Sequence, residues 1–180
     1  MNKMKERLLP FILSAFVIIL DQITKAFVVA NWPRPGTFIK DVFNNDFLIM
    51  YHVRNKAIAF SLGEGIPSQF RVVLFIIVPI LVLVFLGWYY FRTNEFTKMQ
   101  RWAIAGIIGG GLGNIIDRIF RPDGVVDFIS VKFYGLFGLE RWPTFNVADS
   151  SVVVCCVVLL ISMFIMHKES PVTETGLKNE

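Results

Sequence analysis

The sequence predicts an all-α membrane bundle of four transmembrane helices with a small extracytoplasmic β-sheet platform. Two observations lead to this prediction: 54% of the 180 residues are hydrophobic and only 18% are charged, and the mean hydropathy is +0.58. A soluble domain of about 150 residues buries only roughly 70% of its extended-chain surface, so its core would not hold the 18 Phe. The composition excludes disordered, collagen-like and most soluble proteins. The net charge of +4 is too small to indicate a nucleic-acid-binding protein.

Four apolar runs are long enough to cross a bilayer, which needs roughly 20 helical residues. We expect the spans at about residues 8–30, 70–91, 102–120 and 142–166. Together they form a single integral membrane domain of residues 1–180. The basic N-terminus followed by an apolar run also resembles a signal peptide, but the apolar run continues past Lys25 without a small-x-small cleavage site. That continuation favours a retained first span.

Basic residues near the span ends predict the orientation, because cytoplasmic flanks carry an excess of Lys and Arg. Such residues occur in the first seven positions and again between the second and third spans, where Arg92, Lys98 and Arg101 lie. Both flanks are therefore expected in the cytoplasm, and four spans return the C-terminus to that side. The segments 31–69 and 121–141 are then extracytoplasmic. A polar tail follows the last span at residues 169–180 and is expected to be disordered.

The first outer segment contains a strand signal. A turn sequence at 44–46 precedes residues 47–53, which are rich in aromatic and branched side chains. Residues 37–40 could pair with them. Because so small a sheet is marginal alone, we expect it to lie on the membrane surface.

Charged residues within the spans are the strongest functional signal, because such side chains are costly in a membrane and usually functional. At 1.5 Å of rise per residue, the charged and amide residues of three spans reach one level near the outer surface. They are Asp21, Lys25, Asn114, Asp117, Arg118, Asn146 and Asp149. Mutual neutralisation is the simpler interpretation for Asp21 and Lys25, which are i,i+4 neighbours on one helical face.

Two carboxylates held close together have pKa values that are pushed apart, which leaves one as a base and the other as an acid. That is the chemistry of an aspartic peptidase. Asp149 is the obvious first member, because no basic residue lies within a helical turn of it in sequence. Depth alone leaves Asp117, Asp127 and Asp123 open as the second member.

Other chemistries have less support. Cys155 and Cys156 lie in an apolar stretch. We expect them to be small buried hydrophobic residues and neither a nucleophile nor a disulfide. No HExxH pattern or Cys/His cluster with zinc spacing occurs, so neither a metal nor an organic cofactor is expected. Glycines four residues apart in the third span, such as Gly106 and Gly110, indicate close helix packing. The alternative function is a small proton- or ion-coupled membrane transporter, which would carry polar residues through the full membrane thickness.

Five motifs occur along the chain in a recognisable order. They are Asp21-Gln22-Ile23-Thr24-Lys25, Val53-Arg54-Asn55 through Ala59-Phe60-Ser61, Gly113-Asn114-Ile115-Ile116-Asp117-Arg118, Val125-Val126-Asp127-Phe128 and Asn146-Val147-Ala148-Asp149. In this order they resemble the motif set of bacterial lipoprotein signal peptidases over residues 8–166. The resemblance implies an aspartic endopeptidase, signal peptidase II, in the bacterial cytoplasmic (inner) membrane with its active site near the extracytoplasmic face. It would cut diacylglyceryl-modified prolipoproteins just before the lipidated cysteine.

The resemblance also implies roles for individual residues. Asp127 and Asp149 match the catalytic dyad of the family, and Asn55 and Arg118 match positions that hold the substrate backbone. The residues implied to support the dyad are Asp21, Lys25, Asn114, Asp117 and Asn146. The implied partners are lipid-modified prolipoproteins and membrane lipid, with no nucleic acid, and we expect a monomer.

The sequence departs from the family pattern in one place. Ala57-Ile58 stands where the family usually has Gly-Ala. Loss of the glycine removes easy access to positive φ, so the local backbone is expected to differ there.

Overall fold

Five helices form the body of the protein, which is described by a computed structural model over residues 3–55, 70 and 72–169. The helices are α1 Lys3–Leu8, α2 Phe11–Asn31, α3 Val78–Arg92, α4 Lys98–Phe120 and α5 Val147–Glu169. A π-helical turn, Val73–Ile77, leads directly into α3. The altered Ala57-Ile58 segment and residues 170–180 of the predicted tail lie outside the described residues.

Four of the described helical segments are long and apolar enough to cross a membrane, as predicted. They are Met4–Asn31, Val73–Arg92, Lys98–Phe120 and Val147–Ile165. The third is the central one, because 61% of its apolar window is buried, against 11% for the second and the fourth. The other helices therefore surround α4 and turn their exposed apolar side chains outward.

The glycines of α4 allow its neighbours to approach closely. A Cβ added at Gly106 would collide with the Cys155 sulfur, and one added at Gly110 would collide with the backbone oxygen of Ala148. Small residues at such positions let helix backbones pack together. The predicted packing role of this spacing is confirmed, and it brings α4 against the start of α5.

A three-stranded antiparallel sheet adjoins the bundle in the order β1-β2-β3. The strands are β1 Thr37–Asp41, β2 Leu48–Asn55 and β3 Val125–Val131. The predicted pairing of the first two is confirmed, with Thr37 opposite His52. The third strand was not expected, because its apolar residues do not alternate with polar ones. Val125 through Phe128 are all buried, including Asp127.

The fourth long helix begins later than the span expected at 142–166. The residues before it form isolated bridges to β3 and to the residue that follows β3, with Phe145 opposite Ile129 and Arg141 opposite Lys132. The helix therefore begins at Val147. This later start places Asp149 in its first turn.

Candidate active site

Asp127 lies in the middle of β3 and is only 2% exposed. Its Oδ2 accepts a hydrogen bond from Asn55 Nδ2 at 2.9 Å, and its Oδ1 accepts one from Asn146 Nδ2 at 2.7 Å. Burial, and then the charge of Asp149, raise the pKa of Asp127 to about 7. A carboxyl group with that pKa can both give and take a proton near neutral pH.

A β-bulge in β2 places Asn55 on the same face of the sheet as Asp127. Before the bulge Met50 is opposite Ile129, whereas after it Val53 is opposite Asp127, a register shift of one residue. Because side chains alternate between faces, a shift of one residue exchanges the faces. Without the bulge, the Asn55 amide would lie on the face away from Asp127.

Asp149 is held at the start of α5 by a reciprocal pair with Asn146. Asn146 Oδ1 accepts a hydrogen bond from the Asp149 backbone N–H at 2.9 Å, and Asp149 Oδ2 accepts one from the Asn146 N–H at 3.2 Å. This arrangement has the form of a helix capping box. The other carboxylate oxygen of Asp149 accepts a hydrogen bond from Asn114 Nδ2 at 2.7 Å. The helix start and α4 together therefore fix the carboxylate.

The Asn146 amide joins the two carboxylates. It is completely buried, and its Nδ2 donates to Asp127 Oδ1 at 2.7 Å and to Asn114 Oδ1 at 3.0 Å. Its side-chain oxygen, Oδ1, accepts the hydrogen bond from the backbone N–H of Asp149. A single side chain thus couples the strand that carries one acid to the helix that carries the other.

A buried ionic cluster lies behind this pair. Lys25 Nζ is 2.8 Å from Asp21 Oδ2, 3.2 Å from Asp117 Oδ2 and 2.9 Å from Asn114 Oδ1. All three ammonium hydrogens therefore have an acceptor. Asp21 Oδ1 also accepts from the backbone N–H of Ala148 at 3.0 Å. The pairing expected between Asp21 and Lys25 is present, and it extends to two further helices.

Two cavities of different character lie near the acids, and Asp149 lines one of them. Arg118, which interacts with the charges of Asp127 and Asp149, lines a cavity of about 240 Å³ together with Asn55. Asp149 lines another of about 460 Å³, whose other walls are mainly apolar and include Trp142. Polar donors and an apolar recess are therefore both available beside the carboxylates.

The comparisons with known proteins identify the family. The profile of signal peptidase II, a peptidase family, matches residues 13–165. The chain belongs to the signal peptidase II family. It is 43% identical over 165 residues to the lipoprotein signal peptidase of Treponema pallidum, covering 92% of this chain and 88% of that protein. It is 46% identical to the lipoprotein signal peptidase of Treponema denticola, covering 92% and 94%.

Solved structures agree with this membership. A bacterial membrane enzyme structure matches with a TM-score of 0.75 and 27% identity, over 93% of this chain and 94% of that one. A second bacterial membrane enzyme structure matches with a TM-score of 0.71 and 28% identity, over 89% and 94%. The protein is therefore a membrane peptidase with the predicted bundle and sheet.

The structure brings the predicted site residues of this peptidase into one connected group. Direct contacts link Asp21, Lys25, Asn55, Asn114, Asp117, Asp127, Asn146 and Asp149. Arg118 joins the group through its charge. Asp123, which depth alone left open, is exposed and stands apart from these contacts. Among the described residues, no cluster of three or more His, Cys, Asp or Glu could hold a metal ion.

Sequence reasoning missed two members of the ionic cluster. Gln22 Nε2 donates to Asp21 Oδ2 at 3.1 Å and to Asp117 Oδ1 at 3.0 Å, and Arg121 forms an ion pair with Asp117. Both had a signal available. Gln22 is an amide inside an apolar span, and Arg121 stands four residues after Asp117, which is the spacing of a helical ion pair.

Proposed function

We propose that this peptidase is an aspartic endopeptidase that removes the signal peptide of diacylglyceryl-modified prolipoproteins. The cut falls immediately before the lipidated cysteine. The observation that carries the proposal is the Asn146 side chain, which bridges Asp127 and Asp149 in the first turn of α5. The bridge holds together two buried or half-buried acids from separate elements, which is the requirement for a pair with divided acid and base roles.

The pKa of Asp127, raised to about 7 by burial and by the Asp149 charge, assigns it the proton at the start of the reaction. Asp149 is then the base. It takes a proton from water while the water oxygen attacks the scissile carbonyl carbon, and Asp127 gives its proton to the carbonyl oxygen. In the second step the proton on Asp149 passes to the departing nitrogen as the carbon–nitrogen bond breaks. Asp127 recovers its proton as the carbonyl re-forms.

Asn55 and Arg118 hold the substrate backbone beside the pair. An amide offers both a donor and an acceptor, and a guanidinium offers a fork of donors that suits peptide carbonyls. Both residues line the cavity of about 240 Å³. Because Asn55 also donates to Asp127, substrate bound there would lie against the acid.

The five remaining predicted residues position the pair. Asn114 and Asn146 contact the acids directly. Asp21, Lys25 and Asp117 hold Asn114 and the start of α5 from behind. They act through other residues, so their loss is expected to lower stability together with activity.

We also propose the setting in which this peptidase works. The protein is a monomer with a single integral domain over residues 1–180 in the cytoplasmic membrane of a bacterium, and both termini are cytoplasmic. The acids then lie near the extracytoplasmic face, where a lipidated substrate can arrive by lateral diffusion in the membrane and where water is available. The transporter alternative fits less well, because the span Val73–Arg92 carries its first charge at Arg92.

A gel-shift cleavage assay tests the proposal. Detergent-purified wild type is offered a prolipoprotein with and without its diacylglyceryl group, beside Asp127→Asn and Asp149→Asn. Asp123→Asn is the matched control, since it makes the same chemical change at an exposed acid only four residues from Asp127. We expect wild type and the control to cut only the lipidated form and the other two variants to cut neither. Cleavage by folded Asp127→Asn or Asp149→Asn would refute the aspartic mechanism.

A further inference from the structure

A second polar cavity lies at the end of the bundle away from the acids. Its volume is about 400 Å³, and its walls come from α1, the two residues between α1 and α2, the α3–α4 connection and the start of α4. Asn114 follows Arg101 by thirteen positions along helix α4, which at 1.5 Å per residue is about 20 Å. The cavity is therefore distinct from the peptidase site.

The charge in this cavity is unbalanced. Arg7, Lys98 and Arg101 line it, against a single acid, Glu6. In the part of the chain that the structure describes, none of these three cations forms an ion pair. This surplus of positive charge favours an anionic ligand.

Arg101 shows that the site is built into the fold. It is 8% exposed, and its guanidinium carbon lies 5.1 Å from the centre of the Tyr90 ring and 5.9 Å from that of Phe96. Its hydrogen bonds to the backbone oxygens of Tyr90 and Thr93 are long, at 3.5 and 3.4 Å. The rings and backbone carbonyls that hold this buried cation are neutral, so they do not balance its charge.

Arg7 is fixed in a similar way. Its guanidinium donates to the backbone oxygen of Phe91 at 2.8 Å and to Asn94 Oδ1. Its own backbone oxygen accepts a hydrogen bond from the Tyr90 hydroxyl at 2.6 Å. Two guanidinium groups are therefore held in place before any ligand arrives, which reduces the entropy cost of binding.

We propose that this cavity binds the phosphate of an anionic membrane phospholipid. Guanidinium groups suit phosphate oxygens, and basic pockets between membrane helices at the cytoplasmic side suit lipid headgroups. The location favours a lipid over free phosphate. The cavity lies where two membrane-spanning helices begin, and its wall includes Trp102, which is 40% exposed, a residue type enriched at the membrane interface.

Native mass spectrometry of the detergent-purified full chain tests this site. It is titrated with phosphatidylglycerol or with phosphatidylcholine of the same acyl chains, and inorganic phosphate is added as a competitor. We expect one phosphatidylglycerol to bind at least about fivefold more tightly than phosphatidylcholine, the effect of roughly one basic side chain near a membrane surface. Millimolar phosphate should not displace it.

Lys98→Gln is the informative variant, because Lys98 is exposed and the fold does not depend on its burial. It should weaken phosphatidylglycerol binding by about fivefold. Arg92→Gln removes the same charge from an exposed residue outside the cavity wall, so it should leave binding unchanged. Equal affinity for the two lipids, equal losses in the two variants, or displacement of the lipid by phosphate would each overturn the proposal.

Discussion

Asp127→Asn should remove most of the loss of stability that the protein shows as the pH rises, while it also removes activity. The pKa of Asp127 rises from an ordinary 3.8 to about 7, first through burial and then through the charge of Asp149. The folded protein therefore holds this proton more tightly than the unfolded chain. Between these two pH values the folded state binds more protons, so its stability falls as the pH rises.

The size of the effect follows from the same two values, which differ by about three units. At 1.36 kcal/mol per unit, ionised Asp127 costs up to about 4 kcal/mol above pH 7 and almost nothing below pH 4. Between pH 5 and pH 8 the wild type should lose about 2.5 kcal/mol through this group. For a chain of this size that loss corresponds to a fall in Tm of roughly 5–10 °C.

The assay is thermal unfolding in detergent at a series of pH values. Wild type and Asp123→Asn should lose stability in parallel between pH 5 and pH 8, because residue 123 is exposed. Asp127→Asn should show a much flatter curve, whatever constant offset its altered hydrogen bonds introduce. A curve for Asp127→Asn that runs parallel to wild type would refute the reasoning, because it would mean that burial does not destabilise the ionised acid.

Three further substitutions test the network behind the acids. Asn146→Ser keeps a capping hydroxyl but loses the hydrogen-bond donor to Asp127, a bond that lowers the pKa of this acid. Loss of a bond of about 1.5 kcal/mol should therefore move the alkaline limb of kcat/KM up by about one pH unit. A limb that moves down contradicts the assignment of Asp127 as the acid. Lys25→Met removes the ammonium group that lies 2.8 and 3.2 Å from two buried carboxylates. The free energy of unfolding should therefore fall by about 3–5 kcal/mol. A loss below about 1 kcal/mol would mean that the cluster is not ionic. Gly113→Ala brings a Cβ to 2.8 Å from the Asp21 carboxylate and should lower the free energy of unfolding by about 1–3 kcal/mol. Gly87→Ala is the control, because nothing lies within 4 Å of the added Cβ, and it should raise the free energy of unfolding by about 0.5–1 kcal/mol. Equal effects of the two substitutions would exclude crowding as the cause.

The helices and the level of the acids could be predicted because a membrane imposes length and charge constraints that a sequence displays directly. A rise of 1.5 Å per residue was enough to bring Lys25 to the depth of Asn114 and Asp117, and the structure places them in contact. Depth could not choose the second acid. The candidate Asp127 lies on β3, a strand whose buried stretch Val125–Phe128 lacks the alternation that reveals half-buried strands.

The register of the sheet was also beyond local sequence signals. Asn55 reaches Asp127 only because a bulge shifts β2 by one residue between Met50 and Val53. Nothing in the residues of β2 marks that position, since no glycine or proline interrupts Leu48–Asn55. Pairing with β3 fixes the bulge instead. The two ends of β2 pair with β3 in registers that differ by one residue, so the ladder between them must be interrupted.

The charges of the whole site argue for one bound proton on its carboxylates. Four carboxylates and three cations lie within it: Asp21, Asp117, Asp127, Asp149, Lys25, Arg118 and Arg121. With every group ionised, the site would carry one net negative charge in a largely buried setting, which is costly. One bound proton makes it neutral, and the raised pKa of Asp127 places that proton on the strand. The ionic cluster behind the acids thus contributes to the starting protonation state as well as to their position.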